Sequence, residues 1–191
     1  MNFEHALIAR ICHDLITPFN AINLGMEAYE ASGDSTLLNS VKESVEKANV
    51  ILKFIRELHA TRSDSFCYSR VSLRQMLGDF LRRFSISISL ESDFENIPNI
   101  AAKIIMYNSI LAKEIMPFGG IVNVRINDES GEIVTICSGK NVTAPSFDEN
   151  GECNHKNVMR VSLLKLLKES GFKIVAYQDG NQIMIREQMI S

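Results

Sequence analysis

Residues 11–22 read Ile11-Cys12-His13-Asp14-Leu15-Ile16-Thr17-Pro18-Phe19-Asn20-Ala21-Ile22, and the fold of the first third of the chain turns on this stretch. Ile8, Cys12, Leu15, Phe19, Ile22, Met26 and Tyr29 recur at spacings of four and three, the pattern of a helix with one heptad seam. Between residues 2 and 31 only Pro18 and Gly25 bring proline or glycine. Pro18 removes a backbone donor and crowds the carbonyl of Asp14, so a bend is expected just beyond His13. With the seam at positions a and d, His13 falls at b, and Thr17 and Asn20 follow at i+4 and i+7, which predicts a polar stripe facing water.

Working outward, Ala31-Ser32-Gly33-Asp34-Ser35 supplies a helix stop and a fresh N-cap, with Gly33 suited to a left-handed position and Asp34 or Ser35 capping the second helix. From Leu38 the positions Val41, Val45, Ala48, Leu52 and Ile55 repeat the three-four spacing, predicting an antiparallel helical hairpin over residues 1–62. Ile11, Ile16, Leu37 and Ile51 widen each apolar stripe beyond one face, so two helices cannot cover each other alone. A second copy of the hairpin, giving a homodimeric four-helix bundle about a two-fold axis, is the economical solution.

Residues 63–71 fall in a polar, aperiodic stretch that reads as a linker, and residues 72–191 as a second unit. There Ser72 caps a predicted helix through Leu81, and Ile86, Ile88 and Leu90 alternate as a strand. Pro98 opens a helix to about Met116. Strands are expected at Ile121–Ile126 and Glu132–Cys137, joined through Asp128–Gly131. A long polar loop covers 139–156, a helix runs from Asn157 to Ser170, and Ile174–Tyr177 and Gln182–Ile185 flank a turn at Asp179-Gly180. This order, α-β-α-β-β-α-β-β, predicts an α/β sandwich. The fold class expected for the whole chain is therefore α plus α/β.

Composition narrows the function. A charge of -3 with no Lys/Arg cluster gives no footprint for nucleic acid. No apolar run approaches the roughly 20 residues of a spanning helix, and no signal-peptide pattern opens the chain, so no membrane is expected and the cytoplasm is the expected location. Cys12, Cys67, Cys137 and Cys153 form no CxxC pair, and Cys153 with His155 lacks a second pair of ligands, so no metal site is signalled.

The chemistry concentrates on His13. An imidazole ordinarily titrates near pH ~6.5, so at neutral pH it keeps a nucleophilic nitrogen that can attack phosphorus. Asp14 is placed to accept from the other ring N–H, fix the tautomer and stabilise the cationic ring, and Thr17 lies one turn on, within reach of phosphoryl oxygens. His5 lacks this context, and His59 is expected to end the second helix as a partly positive imidazole suited to the helix dipole.

Cys12 through Ile22 resembles the H-box of sensor histidine kinases, His-Glu/Asp-Leu-x-x-Pro followed by an apolar heptad, and the chain as a whole resembles the ChpT-type histidine phosphotransferases of alphaproteobacteria. The resemblance implies that His13 is the phosphoacceptor, that the hairpin dimerises, and that residues 72–191 form a degenerate histidine-kinase-like ATP-binding domain. It implies a phosphorelay role: His13 takes a phosphoryl group from the receiver Asp of a hybrid histidine kinase and passes it to receivers of response regulators, with contacts near His13, Thr17 and Asn20. No cofactor is expected, the magnesium coming with the receiver. Against the kinase pattern, Asn108-Ser109-Ile110-Leu111-Ala112-Lys113 loses the second Asn at Ala112, Cys137-Ser138-Gly139-Lys140-Asn141 lacks the adenine-reading carboxylate, and Asn157–Ser162 has no glycine-rich phosphate loop. The alternatives are an ATP-dependent kinase with an unconventional pocket and a non-catalytic receiver-binding adaptor.

Overall fold

The computed structural model describes residues 2–63, 65–127, 129–147 and 153–190; Asp64 of the predicted linker, Asp128 of the predicted turn and residues 148–152 of the predicted loop lie outside the described residues. In chain order the elements are α1 (Phe3–Ser32), α2 (Leu37–Leu58), β1 (Cys67–Ser69), α3 (Arg70–Arg82), β2 (Ile86–Glu91), β3 (Asn96–Pro98), α4 (Asn99–Ile115), β4 (Gly120–Ile126), β5 (Ile133–Gly139), α5 (Val158–Glu169), β6 (Phe172–Asp179) and β7 (Gln182–Met189).

The ends of α1 follow from side-chain chemistry. The Asn2 side chain accepts from Glu4 N at 3.2 Å, and Gly33, at φ 68°, lets its own N–H reach Tyr29 O at 2.8 Å. Asp34 then accepts from Thr36 N at 2.9 Å, which turns the chain into α2. The helix runs through Pro18 without a break in its assignment, and that proline is buried. Where α1 meets α2 the backbones come close: a Cβ on Gly25 would stand 2.6 Å from Val41 Cγ2, so any side chain there would push the helices apart.

The predicted heptad seam divides within one copy of the chain: Leu15, Ile22 and Tyr29 are half-buried, while its other positions face out. Ala6, Arg10 and Pro18 are buried and Leu7, Ile11 and Asp14 half-buried, whereas Ile8, Cys12, Phe19 and Met26 are exposed. Near the start of α1, Arg10 and Asp14 also turn inward, where they meet partners from α4 that a two-helix picture does not contain. On α2, Val45 and Leu52 are likewise exposed, seven residues apart.

Five strands form one sheet in the order β2-β4-β5-β7-β6, with β2 and β4 parallel and every other pairing antiparallel. A parallel pair needs a long crossover, which α4 provides. Two short strands, β1 and β3, pair separately, Tyr68 opposite Ile97. Both lie outside the predicted elements, and β1 sits inside the predicted linker; α3 also starts at Arg70, earlier than the predicted Ser72. Three-residue strands give no period to read, but burial of Tyr68 and Ile97 holds them.

One core joins these layers. The α4 side chains Ile104, Ile105, Met106 and Leu111 are enclosed, as expected of a helix apolar on all sides. Phe54 and Leu58 from α2 and Ala6 from α1 belong to the same core, and Phe54 stacks on Phe80 of α3 with centroids 3.9 Å apart. The end of the helical pair nearest His13 is thereby fixed against α3 and α4.

His59 corrects the expectation of a charged cap. It closes α2 and stays exposed at its surface, but partial desolvation of the ring, with the Lys103 ammonium nearby, lowers its pKa and disfavours the charged form. Lys103 Nζ itself donates to Ala60 O at 3.0 Å.

Candidate functional site

His13 stands on α1 with 71% of its side chain exposed, and Thr17 and Asn20 are exposed on the same stripe. Leu24, one step further along the four-three-four spacing, is 67% exposed. The stripe is therefore open to an approaching surface, polar around His13 and apolar at its far end.

Asp14 is turned the other way. Its Oδ2 accepts from Arg10 Nε at 3.2 Å, and both its oxygens lie 3.3 Å from Lys113 Nζ of α4. Burial by itself would raise the carboxyl pKa, but Lys113 and Arg10 together outweigh it, so the group lies below the ordinary aspartate range and remains ionised. For Lys113 burial outweighs the attraction of Asp14, and its pKa falls below that of a free lysine. Asp14 Oδ1 is 3.5 Å from His13 Nδ1, so the carboxylate stands beside the ring nitrogen that would carry the proton when Nε2 is the nucleophile.

A chain of charges extends this support. Arg10 Nη1 lies 3.4 Å from Glu114 Oε1, and Arg160 Nε of α5 lies 3.6 Å from Glu114 Oε2. Arg10 Nη1 also donates to His155 O at 3.5 Å, which brings the segment before α5 over His13; the two imidazole centroids are 6.3 Å apart. Beside His13 opens a cavity of about 290 Å³, which Asp14, Thr17, Lys47, Arg83 and Lys113 help to line.

The sequence reading thus named His13, Asp14, Thr17 and Asn20, and the structure sets all four on α1, with the first three around one cavity and Asn20 on the exposed stripe. It missed Arg10, Arg83, Lys113 and His155. Arg10 carried a signal, lying four residues before Asp14. Lys113 was visible only as the end of the kinase-like motif, and nothing local marks Arg83.

Positions compared above with the kinase motifs lie in the core. Asn108 is fully buried, and its Nδ2 donates to Thr135 Oγ1 and Glu187 Oε1, each at 2.9 Å. Ala112 and Cys137 are enclosed as well. A Cβ on Gly139 would stand 2.7 Å from Gly119 O, so the one glycine retained from the kinase pattern serves strand packing.

Burial pushes the Glu187 carboxyl up to about 8 despite the hydrogen bond from Asn108. The folded state therefore holds a proton that the unfolded chain releases near pH ~4.4, and this group's contribution to stability is lost as pH rises from there to about 8. Glu187→Gln, neutral at every pH, is expected to match wild type near pH 5 and to gain a few kcal/mol over it by pH 9. Denaturant unfolding at the two pH values checks this.

Among the described residues no three His, Cys, Asp or Glu side chains come together as a metal site, and no helix is long and apolar enough to cross a membrane.

No family model matches the chain. Protein phosphotransferase ChpT of Brucella abortus (strain 2308) is 26% identical over 190 residues, covering 93% of this chain and 91% of that protein. A bacterial phosphotransferase solved at 1.7 Å superposes with a TM-score of 0.85 at 21% identity, over 97% of this chain and 95% of the other. Acinetobacter baumannii histidine kinase AdeS follows with a TM-score of 0.50 at 12% identity, over 93% and 96%. The mixed helix-and-sheet fold is shared with the two solved proteins, and the expected resemblance to ChpT-type phosphotransferases is borne out by the Brucella relative.

Proposed function

We propose that this chain is a ChpT-type histidine phosphotransferase: His13 takes a phosphoryl group from the aspartyl phosphate of one receiver domain and passes it to the aspartate of another. The observation that carries this function is an exposed imidazole on a helix braced against α4, with an ionised Asp14 beside its Nδ1. The lone pair of His13 Nε2 attacks phosphorus, the N–P bond forms, and the P–O bond to the receiver carboxylate breaks. The ring keeps its Nδ1 proton and becomes cationic, and Asp14 offsets that charge. Return to the next receiver reverses these steps.

Thr17 is the phosphoryl contact, one turn beyond His13, and Asn20 with Leu24 extends the receiver surface along the stripe. Among the described residues lining the cavity beside His13, a magnesium ion would find one carboxylate, Asp14, already held by Arg10 and Lys113. That donor set supports a metal brought by the receiver and no resident cofactor. Residues 1–62 act as the transfer module, 63–71 as the connection and 72–191 as a kinase-like domain without ATP chemistry, a reading supported by the buried Asn108, Ala112 and Cys137. Titration with Mg-ATP is expected to give no binding and no label on His13, whereas a phosphorylated receiver gives acid-labile label; label from ATP alone would establish a kinase instead.

The working unit is a homodimer. Ile8 and Phe19 on α1 and Val45 and Leu52 on α2 are 40–58% exposed, an apolar cost that a four-helix bundle of two copies removes. Phe19→Asp is expected to weaken self-association by about 100-fold or more, on the basis of burying an unpaired charge. Sedimentation velocity over a concentration series reads this directly, and unchanged association would remove Phe19 from the interface.

A further inference from the structure

Arg83 closes α3 as its C-cap residue, and its Nε and Nη1 are buried without a hydrogen-bond partner among the described residues. A guanidinium carries five donors and stays charged at physiological pH, so withdrawing donors from water without an acceptor is costly. Asp14, the acidic side chain in the lining of the cavity beside His13, does not serve. Arg83 feels its charge, but Asp14 gives its oxygens to Arg10 and Lys113, and no hydrogen bond joins it to Arg83. The Phe84 ring, 5.4 Å from Arg83 Cζ, supplies a cation–π contact and no acceptor.

The same cavity brings Lys47 from α2 and Lys113 from α4 to join Arg83, so that its described lining holds three cations against one carboxylate, Lys47 also standing 4.0 Å from the exposed Glu43 outside it. Ile51, Phe80 and Ile110 line the rest, an apolar wall that weakens screening and strengthens attraction for an anion. The volume of about 290 Å³ is ample for a tetrahedral oxyanion. Cations arriving from three separate helices suit a dianion with oxygens pointing several ways better than a planar carboxylate.

We propose that Arg83, Lys47 and Lys113 form a binding site for a phosphate-type dianion in the cleft beside His13. The anion has two possible sources, free phosphate or the phosphoryl group carried by His13, and only the second rests on the phosphotransfer function proposed above.

The test uses the full chain. Inorganic phosphate is titrated at low ionic strength by calorimetry into wild type, His13→Ala, Arg83→Gln and Arg83→Lys, and thermal melts of all four confirm folding. In parallel, wild type and the Arg83 variants are phosphorylated from a receiver, the receiver is removed, and the loss of acid-labile label is timed.

Binding to wild type and His13→Ala, weakened on the order of 10- to 100-fold in Arg83→Gln, supports the site with free phosphate as occupant. No free-phosphate binding, with label lost several-fold faster from Arg83→Gln, supports it with the phosphoryl group as occupant. Arg83→Lys keeps the charge without the fork and is expected to fall between, so it decides the matter if Arg83→Gln does not fold. Phosphate that binds none of the four proteins, or binds Arg83→Gln as tightly as wild type, with label equally long-lived in all, overturns the site. Phosphate binding without any phosphohistidine in wild type would sink the transfer function and leave this site standing.

Discussion

His13→Ala is expected to cut phosphoryl uptake from a phosphorylated receiver by at least about 1,000-fold while changing stability by no more than about 0.5 kcal/mol. Both halves follow from position. The ring is 71% exposed, its close polar neighbour is Asp14, and it contributes nothing to the enclosed core, so its removal leaves packing intact. The chemistry has no substitute among the described residues, since His5 lies two turns away on the same helix and His155, though its centroid is 6.3 Å off, makes no described ion pair with a carboxylate as His13 does with Asp14. A rate measured against a phosphorylated receiver, with circular dichroism on the same sample, reads both. Retention of more than a tenth of the wild-type rate would remove His13 from the reaction.

Asp14→Asn is the second large effect, an expected loss of between about 100- and 10,000-fold in rate, the range in which a lost tautomer-fixing carboxylate falls. The change removes the anion beside Nδ1 and also strands Lys113 and Arg10, which lose their shared partner at 3.2–3.3 Å. Stability therefore falls as well, and rate alone would not separate positioning from damage. The position of the phosphoryl group on the ring does. With Asp14 present the label belongs on Nε2; without it, label distributed between Nε2 and Nδ1 is expected, and chromatography of the two phosphohistidine isomers reads the ratio. Because the Asp14 pKa is lowered, this carboxylate contributes stability above pH ~4 that is lost as pH falls below it, and Asp14→Asn should flatten that acid limb.

Much of the fold was legible where local chemistry and period agree. Gly33 followed by Asp34 announced the turn between α1 and α2; Gly33 takes its left-handed place and Asp34 accepts from Thr36 N in the turn, but the residue that caps α2 is Thr36, not Asp34 or Ser35. The element order after residue 72 was readable from alternation and from Pro98, Gly171 and Gly180. What escaped notice depended on distance in sequence. Asp14 and Lys113 are 99 residues apart, and no pattern around either reveals that they meet. That meeting turns Arg10 and Asp14 inward, whereas the a/d seam shows only half of itself within one copy, with Leu15, Ile22 and Tyr29 half-buried and Phe19 exposed. The strands β1 and β3 were too short to show a period, and His59 was read from its place at a helix end, where partial desolvation and the distant-in-sequence Lys103 lower its pKa.

At the site, the H-box residues stood out because an imidazole, a carboxylate and a proline at fixed spacing serve one reaction. Arg83 did not, because an arginine after a helix is ordinary until its buried donors are seen.

Cleavage at lysine and arginine puts each of the four histidines on its own peptide: His5 within residues 1–10, His13 within 11–42, His59 within 57–62 and His155 within 141–156. Wild type incubated with a phosphorylated receiver, digested at neutral pH and sequenced by mass spectrometry should carry its added phosphoryl group on the 11–42 peptide, at His13, with the other three unmodified. Label on the peptide of His5, His59 or His155, or no protein-bound label while the receiver loses its own, would contradict the assignment of His13 as the phosphoryl carrier.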